Sequence, residues 1–124
     1  MIKGVGIDLT ELDRIKTLWE RYGRRFAAKI LTERELAELS EKHPVPRLAA
    51  MFASKEAAVK ALGTGFAHGI HFKCIEILHN ADGKPEIAFL GAGLEQCRRL
   101  GVTNAHISMT HSRDTAAATV ILEG

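Results

Sequence analysis

The stretch Leu48–Gly65, LAAMFASKEAAVKALGTG, decides how the rest of the chain is arranged. On a helical wheel Leu48, Met51, Phe52, Val59 and Leu62 fall on one stripe, which predicts a helix with that face against a core. Ala49, Ala53, Glu56 and Lys60 fall on the adjacent stripe, setting an acid and a base one turn apart on a surface otherwise made of alanine. Such small side chains let another backbone or a ligand come close. Lys55 sits in the middle of the apolar stripe, so its charge must either snorkel out to water or meet something anionic. Gly63 predicts the helix end, and the turn Gly63-Thr64-Gly65 is expected to offer backbone N–H groups to phosphate.

Upstream, EKHPVP is a proline-punctuated connection that places Pro46 in the first turn of this helix. The T-E-R-E run at Thr32 reads as a capping box opening a short helix to about Ser40. Before it, Arg21, Arg24, Arg25 and Lys29 surround Phe26 and Ile30. A solvated basic face accounts for that cluster. So does a docking surface for an acidic partner, since cations around an apolar anchor supply both steering and a hot spot. Leu12, Ile15, Leu18, Trp19 and Tyr22 recur at helical spacing, and Thr10-Glu11-Leu12-Asp13 is expected to cap that helix. Met1–Leu9 reads as a strand with Lys3, Val5, Ile7 and Leu9 on one face and Ile2, Gly4, Gly6 and Asp8 on the other. Glycine inside a strand marks a close backbone approach, so Asp8 emerges from a face stripped of side chains. Gly4-Val5-Gly6 lacks the third glycine and the context of a dinucleotide fingerprint.

Downstream, Ile70–His79 alternates as a strand, Asn80–Gly83 supplies turn residues, and Pro85–Leu90 returns as the second arm of a hairpin. Gly91–Gly101 reads as a short helix, and the chain closes with strands at His106–His111 and from Thr115 onward. The run Ala116-Ala117-Ala118 predicts tight packing of the last strand on a helix. Residues 1–124 therefore form one domain of the α+β class, a small antiparallel sheet packed against helices. The net charge of +2 does not by itself argue for nucleic acid, and 6% aromatic residues argue against a single-strand stacking platform. Cys74 and Cys97 have neither redox nor metal spacing and read as reduced core thiols. Without a signal peptide or long apolar run, the expected location is cytoplasmic, with no membrane contact.

The polar residues on apolar or small faces are Asp8, Lys55, Glu56, Lys60 and His106. Two carboxylates from separate elements suit a hard cation such as Mg²⁺, which takes its further ligands from water and substrate phosphate. Lysine offsets the remaining phosphate charge. Each residue also has a plainer reading: Glu56–Lys60 as an i,i+4 ion pair, His106 as a hydrogen-bonded strand histidine, Asp8 as a turn initiator.

G-V-G-I-D-L-T-E-L-D-R-I, F-A-A-K-I-L-T-E-R-E-L, F-A-S-K-E-A-A-V-K-A-L-G-T-G, G-K-P at Gly83–Pro85, and H-I-S-M-T-H before A-A-A-T-V-I-L-E stand in this order along nearly the whole chain. Together they resemble the bacterial holo-[acyl-carrier-protein] synthases, small 4′-phosphopantetheinyl transferases. The resemblance implies transfer of phosphopantetheine from coenzyme A to a serine of an apo-acyl carrier protein, with release of adenosine 3′,5′-bisphosphate. It implies Asp8 and Glu56 as Mg²⁺ ligands and Lys60 as a phosphate contact. Gly63, Thr64, Gly65 and His106 would lie against coenzyme A, and Arg14, Arg21, Arg24 and Arg25 against the acidic helix of the carrier. Sites in this family form between subunits of a homotrimer. The serine proton then goes to Glu56 or to a water activated near it, and the residues do not choose between them.

One position departs from the pattern. The family carries arginine before the phenylalanine of its central motif, where this chain has Met51. Methionine cannot bind phosphate, and Arg47, one turn earlier, is the expected substitute. The exchange also motivates an alternative function, a module that binds coenzyme A or the carrier with weak or no transferase activity. A basic adaptor for nucleic acid is a third reading, opposed by the near-neutral charge.

Overall fold

The computed structural model describes residues 1–124. In chain order the elements are β1 (Ile2–Glu11), α1 (Leu12–Tyr22), α2 (Arg24–Ile30), α3 (Glu33–Glu38) and α4 (Val45–Leu62). A short 3-10 turn (Phe72–Cys74) leads into β2 (Ile75–His79), β3 (Pro85–Phe89), α5 (Gly91–Leu100), β4 (Asn104–His111) and β5 (Thr115–Glu123). The strands form two antiparallel sheets, one ordered β1-β5-β4 and the other the β2–β3 hairpin. This is the α+β architecture the sequence predicts, although the sheet is divided in two. No helix is long and apolar enough to cross a membrane.

Helix α4 is the hub. Leu48, Met51, Val59 and Leu62 are buried as expected, but so are Ala49, Ala53, Ala57, Ala58 and Ala61. The helix is therefore enclosed on nearly all sides rather than amphipathic. Its alanines are the seat of the three-stranded sheet, meeting Ala116 and Ala118 of β5, both buried. Pro46 stands in the first turn and Gly63 closes the helix at φ 79°.

Strand β1 lies so close to α4 that a Cβ on Gly4 would collide with the Ala61 carbonyl, and one on Gly6 with the Ala57 carbonyl. The glycine face is thus the packed one. The apolar face points outward, leaving Val5, Ile7 and Leu9 at 60%, 65% and 70% exposure. This inverts the ordinary arrangement of a half-buried strand, and it puts Asp8 on the side that faces the helix.

Three local expectations change. Thr10 does not cap α1: β1 continues to Glu11, which is the N-cap residue and makes no side-chain cap bond. Thr10 is instead buried, its hydroxyl 3.4 Å from Asp8 Oδ2. The strand expected from Ile70 begins only at Ile75, because Phe72–Cys74 coils into the 3-10 turn. Ile30 leaves the basic cluster for the core, where it is 3% exposed. The Thr32 capping box forms in full with Glu35, and both cysteines are free and buried. Because the Ala57 carbonyl cannot retreat from a rigid helix, Gly6→Ala should destabilise the fold by about 3 kcal/mol or more in urea unfolding.

Candidate active site

The close approach of β1 to α4 sets Asp8 across from Glu56 and Lys60. Lys60 Nζ donates to Asp8 Oδ1 at 2.9 Å and to the Ile7 carbonyl at 3.1 Å. The i,i+4 ion pair with Glu56 is therefore not formed; the lysine crosses to the strand instead. Glu56, half-buried, is left without an ion-pair partner. Burial, and secondarily the Asp8 carboxylate, push its pKa above the usual glutamate value, while Lys60 and Arg14 oppose the rise. Two carboxylates that repel each other at a partly buried spot favour a cation between them. No third His, Cys, Asp or Glu joins them as a metal-binding group. That donor set fits Mg²⁺, which keeps waters and completes its shell with phosphate, and not a closed structural metal site. A cavity of about 430 Å³ lined by Ile7, Asp8, Leu9 and Lys60 opens beside them.

Arg14 belongs to this site as well as to the basic face. Its guanidinium lies 5.3 Å from the Phe52 ring centroid, one turn before Glu56 on α4. Phe52 packs on Phe72 (5.5 Å between centroids) and Phe72 on Phe66 (4.3 Å), an aromatic wall that joins α4 to the segment after it. Helical spacing marked Phe52 only as a core residue; nothing along the chain joined it to Phe66 and Phe72. From Arg14 the face of α1 continues through Leu18, Arg21 and Tyr22 at helical intervals. It ends at a cavity of about 220 Å³ lined by Leu18, Tyr22, Arg25, Phe26 and Lys29. Arg21 lies over the Tyr22 ring. Arg24 is drawn away to Glu41 at 2.7 Å, so its charge is already paired.

The glycine turn does not do what the sequence led us to expect. The N–H groups of Thr64 and Gly65 both donate to the Val59 carbonyl, at 3.3 Å each, and that of Gly63 donates to Lys60. They close the C-terminal end of α4, where the helix dipole is negative, and are not free for phosphate. Thr64 Oγ1 donates to the Gly65 carbonyl. The turn carries the chain sharply away from Lys60.

Three further residues stand elsewhere. Met51 is 3% exposed and serves the core. Arg47, the expected substitute for the missing arginine, is directed elsewhere: Nη1 donates to His79 Nδ1 at 3.3 Å and lies 3.9 Å from Glu38 Oε1. His106 is on β4, the opposite edge of the sheet from β1, with its Nε2 3.0 Å from Glu123 Oε1. Its register partner is Ile121, which pairs with Val5, so it shares the outward face and not the Asp8 face. There it lines a cavity of about 420 Å³ with Lys84, Pro85, Glu86 and Ile87 of the hairpin. Lys84 is a cation the sequence reading passed over, although it stands inside the G-K-P run.

Residues 4–120 match the model of the 4′-phosphopantetheinyl transferase superfamily. The chain belongs to that superfamily. It is 59% identical over 123 residues to the holo-[acyl-carrier-protein] synthase of Maridesulfovibrio salexigens, with 99% of each chain covered. It is 53% identical to the synthase of Solidesulfovibrio magneticus over the whole of both chains. Among solved structures, the synthase of Neisseria meningitidis superposes with a TM-score of 0.88 at 40% identity, covering 100% of both chains. The Helicobacter pylori synthase, solved in complex with coenzyme A, gives 0.84 at 26% identity, covering 96% of this chain and 99% of that one. The fold and the enzymatic class expected from the sequence motifs are those of a phosphopantetheinyl transferase, and this chain has both.

The elevated Glu56 gives a test that needs no substrate. In the folded state its charged form is disfavoured, so its contribution to stability is full below the ordinary glutamate pKa and fades as pH rises through the raised value. Without divalent cations, Glu56→Gln should raise the melting temperature at pH 7.5 by about 1–3 °C, a small effect because water screens a half-buried group. Below about pH 4.5 the gain should vanish. Added Mg²⁺ should stabilise the wild type and not the variant.

Proposed function

We propose that this protein transfers the 4′-phosphopantetheine group from coenzyme A to a serine of an apo-acyl carrier protein, in a Mg²⁺-dependent reaction that releases adenosine 3′,5′-bisphosphate. The observation that carries the proposal is the meeting of Asp8, Glu56 and Lys60 beside an open cavity, in a chain of this superfamily. When held by Asp8 and Glu56, Mg²⁺ supplies positive charge against the pyrophosphate and the leaving group. Lys60, 54% exposed at its side chain and lightly tied, can turn from Asp8 to a phosphate oxygen without unfolding anything. Glu56 would help hold the cation, and Glu56 or a water beside it would accept the serine proton. Positioning between the aromatic wall and Arg14 supplies the rest.

The same reading explains the outward apolar face and the separated half-sites. Asp8 lies on one edge strand of the sheet and the Lys84–His106 cavity on the other, an arrangement that suits two halves of a site supplied by different copies. Two different surfaces that meet between copies define a head-to-tail contact, which gives a ring when its rotation closes. Val5, Ile7 and Leu9 supply the apolar contact for it. We assign the ring as a homotrimer in which Lys84 and His106 of a neighbour complete the coenzyme A pocket. The face from Arg14 through Arg21 to Arg25 leads from Glu56 to the cavity under Phe26, and we assign it to the acidic carrier helix. Arg24, already paired with Glu41, contributes less. The enzyme is assigned to the cytoplasm, with no nucleic acid or membrane partner.

Incubation with apo-carrier protein, coenzyme A and Mg²⁺ should add the phosphopantetheine mass to the carrier, and EDTA should abolish it. Carrier or coenzyme A bound without modification would instead support the binding-module reading. Ile7→Asp should break the ring in sedimentation analysis and lower activity at least tenfold. Arg25→Glu should raise KM for the carrier about tenfold and leave KM for coenzyme A unchanged, a distinction steady-state kinetics reads directly.

A further inference from the structure

Lys55 precedes Glu56, and its side chain is completely buried. Nζ donates to Glu35 Oε1 at 2.7 Å, to the Ile30 carbonyl at 2.6 Å and to the Phe72 carbonyl at 3.0 Å. All three ammonium protons are used. Glu35, equally buried, accepts a second bond on Oε1 from the Thr32 N–H at 2.7 Å and one on Oε2 from the Ile77 N–H at 2.8 Å. Beside it, Glu76 accepts from the Thr32 hydroxyl at 2.7 Å and from Arg34 at 3.2 Å. One ion pair thus ties α4 to the end of α2, the cap of α3, the 3-10 turn and strand β2.

Stability alone does not account for such a pair, because well-packed apolar residues of similar volume hold a core as firmly. Directional bonds supply something methylene groups do not, a fixed rotation of α4 about its own axis. Successive helical residues lie 100° apart, so locking Lys55 locks Glu56. The same bonds fix the hairpin that carries Lys84. We propose that the Lys55–Glu35 pair is a positioning device that holds the Glu56 carboxylate at the rotation where it faces Asp8. Lys55 and Glu35 are thus positioning residues, not catalytic ones, and this role rests on the transferase reading above.

The test uses two double variants of the full-length protein, Lys55→Met with Glu35→Leu, and Lys55→Met with Glu35→Gln. Neither leaves a lone buried charge, and neither can form the bond. Each is assayed for carrier modification at saturating and at limiting coenzyme A, beside its melting temperature. The expected result is a folded protein with a lowered melting temperature, less lowered in the Gln variant, kcat lowered tenfold or more and KM for coenzyme A changed less than threefold. A folded variant with kcat within twofold of wild type overturns the proposal. So does failure of both variants to fold, which would make the pair a stability element. Wild-type protein that modifies no carrier would instead overturn the transferase reading, a separate outcome read in the same assay.

Discussion

The contact between the backbone of β1 and the alanine face of α4 is the constraint on which the rest of the molecule depends. Gly4 and Gly6 sit against the Ala61 and Ala57 carbonyls with no room for a side chain. Only that approach brings Asp8 within reach of Lys60 and close enough for its charge to be felt at Glu56. A strand carrying ordinary side chains at these positions would stand farther away, because even a Cβ there collides with the helix backbone. The site is therefore a by-product of the tightest seam in the fold. Gly4, Gly6, Ala57 and Ala61 set the distance between strand and helix.

That seam has a consequence on the other side of the sheet. With its glycine face turned inward, β1 must present Val5, Ile7 and Leu9 to solvent. A contiguous apolar face on a small chain marks an interaction surface. Here the exposed ridge adjoins the cavity beside Asp8, and the complementary cavity at Lys84 and His106 lies across the sheet. In the proposed ring, assembly and completion of the site would be one event, since the exposed ridge borders the cavity beside Asp8.

Charge is managed differently in the interior and at the site. Lys55 and Glu35 are fully buried and fully hydrogen-bonded, and burial lowers the Lys55 pKa while Glu35 opposes the fall. Glu56, next in sequence, has no ion-pair partner, and Lys60 and Arg14 only partly offset the burial and the Asp8 charge that raise its pKa. Satisfied charge fixes structure; unsatisfied charge is available for chemistry. The contrast between neighbouring residues shows how a single helix serves both ends.

Local signals were legible along the chain. The T-E-R-E box, Pro46 in the first turn, Gly63 at the helix end and the strand glycines act through bonds or contacts within a few residues, so a linear reading captures them. The identities of Asp8, Glu56 and Lys60 as the polar residues of small faces were equally plain. Only the tertiary structure decided partners. Lys60 chose Asp8 over Glu56, Arg47 chose Glu38 and His79, and the Gly63–Gly65 amides went to capping α4. Phe52, Phe66 and Phe72 became one wall. Sequence determines which groups a chain owns and the period on which they lie. Which of several equally suitable partners each group meets depends on how elements distant along the chain cross, and that is fixed by packing across the core.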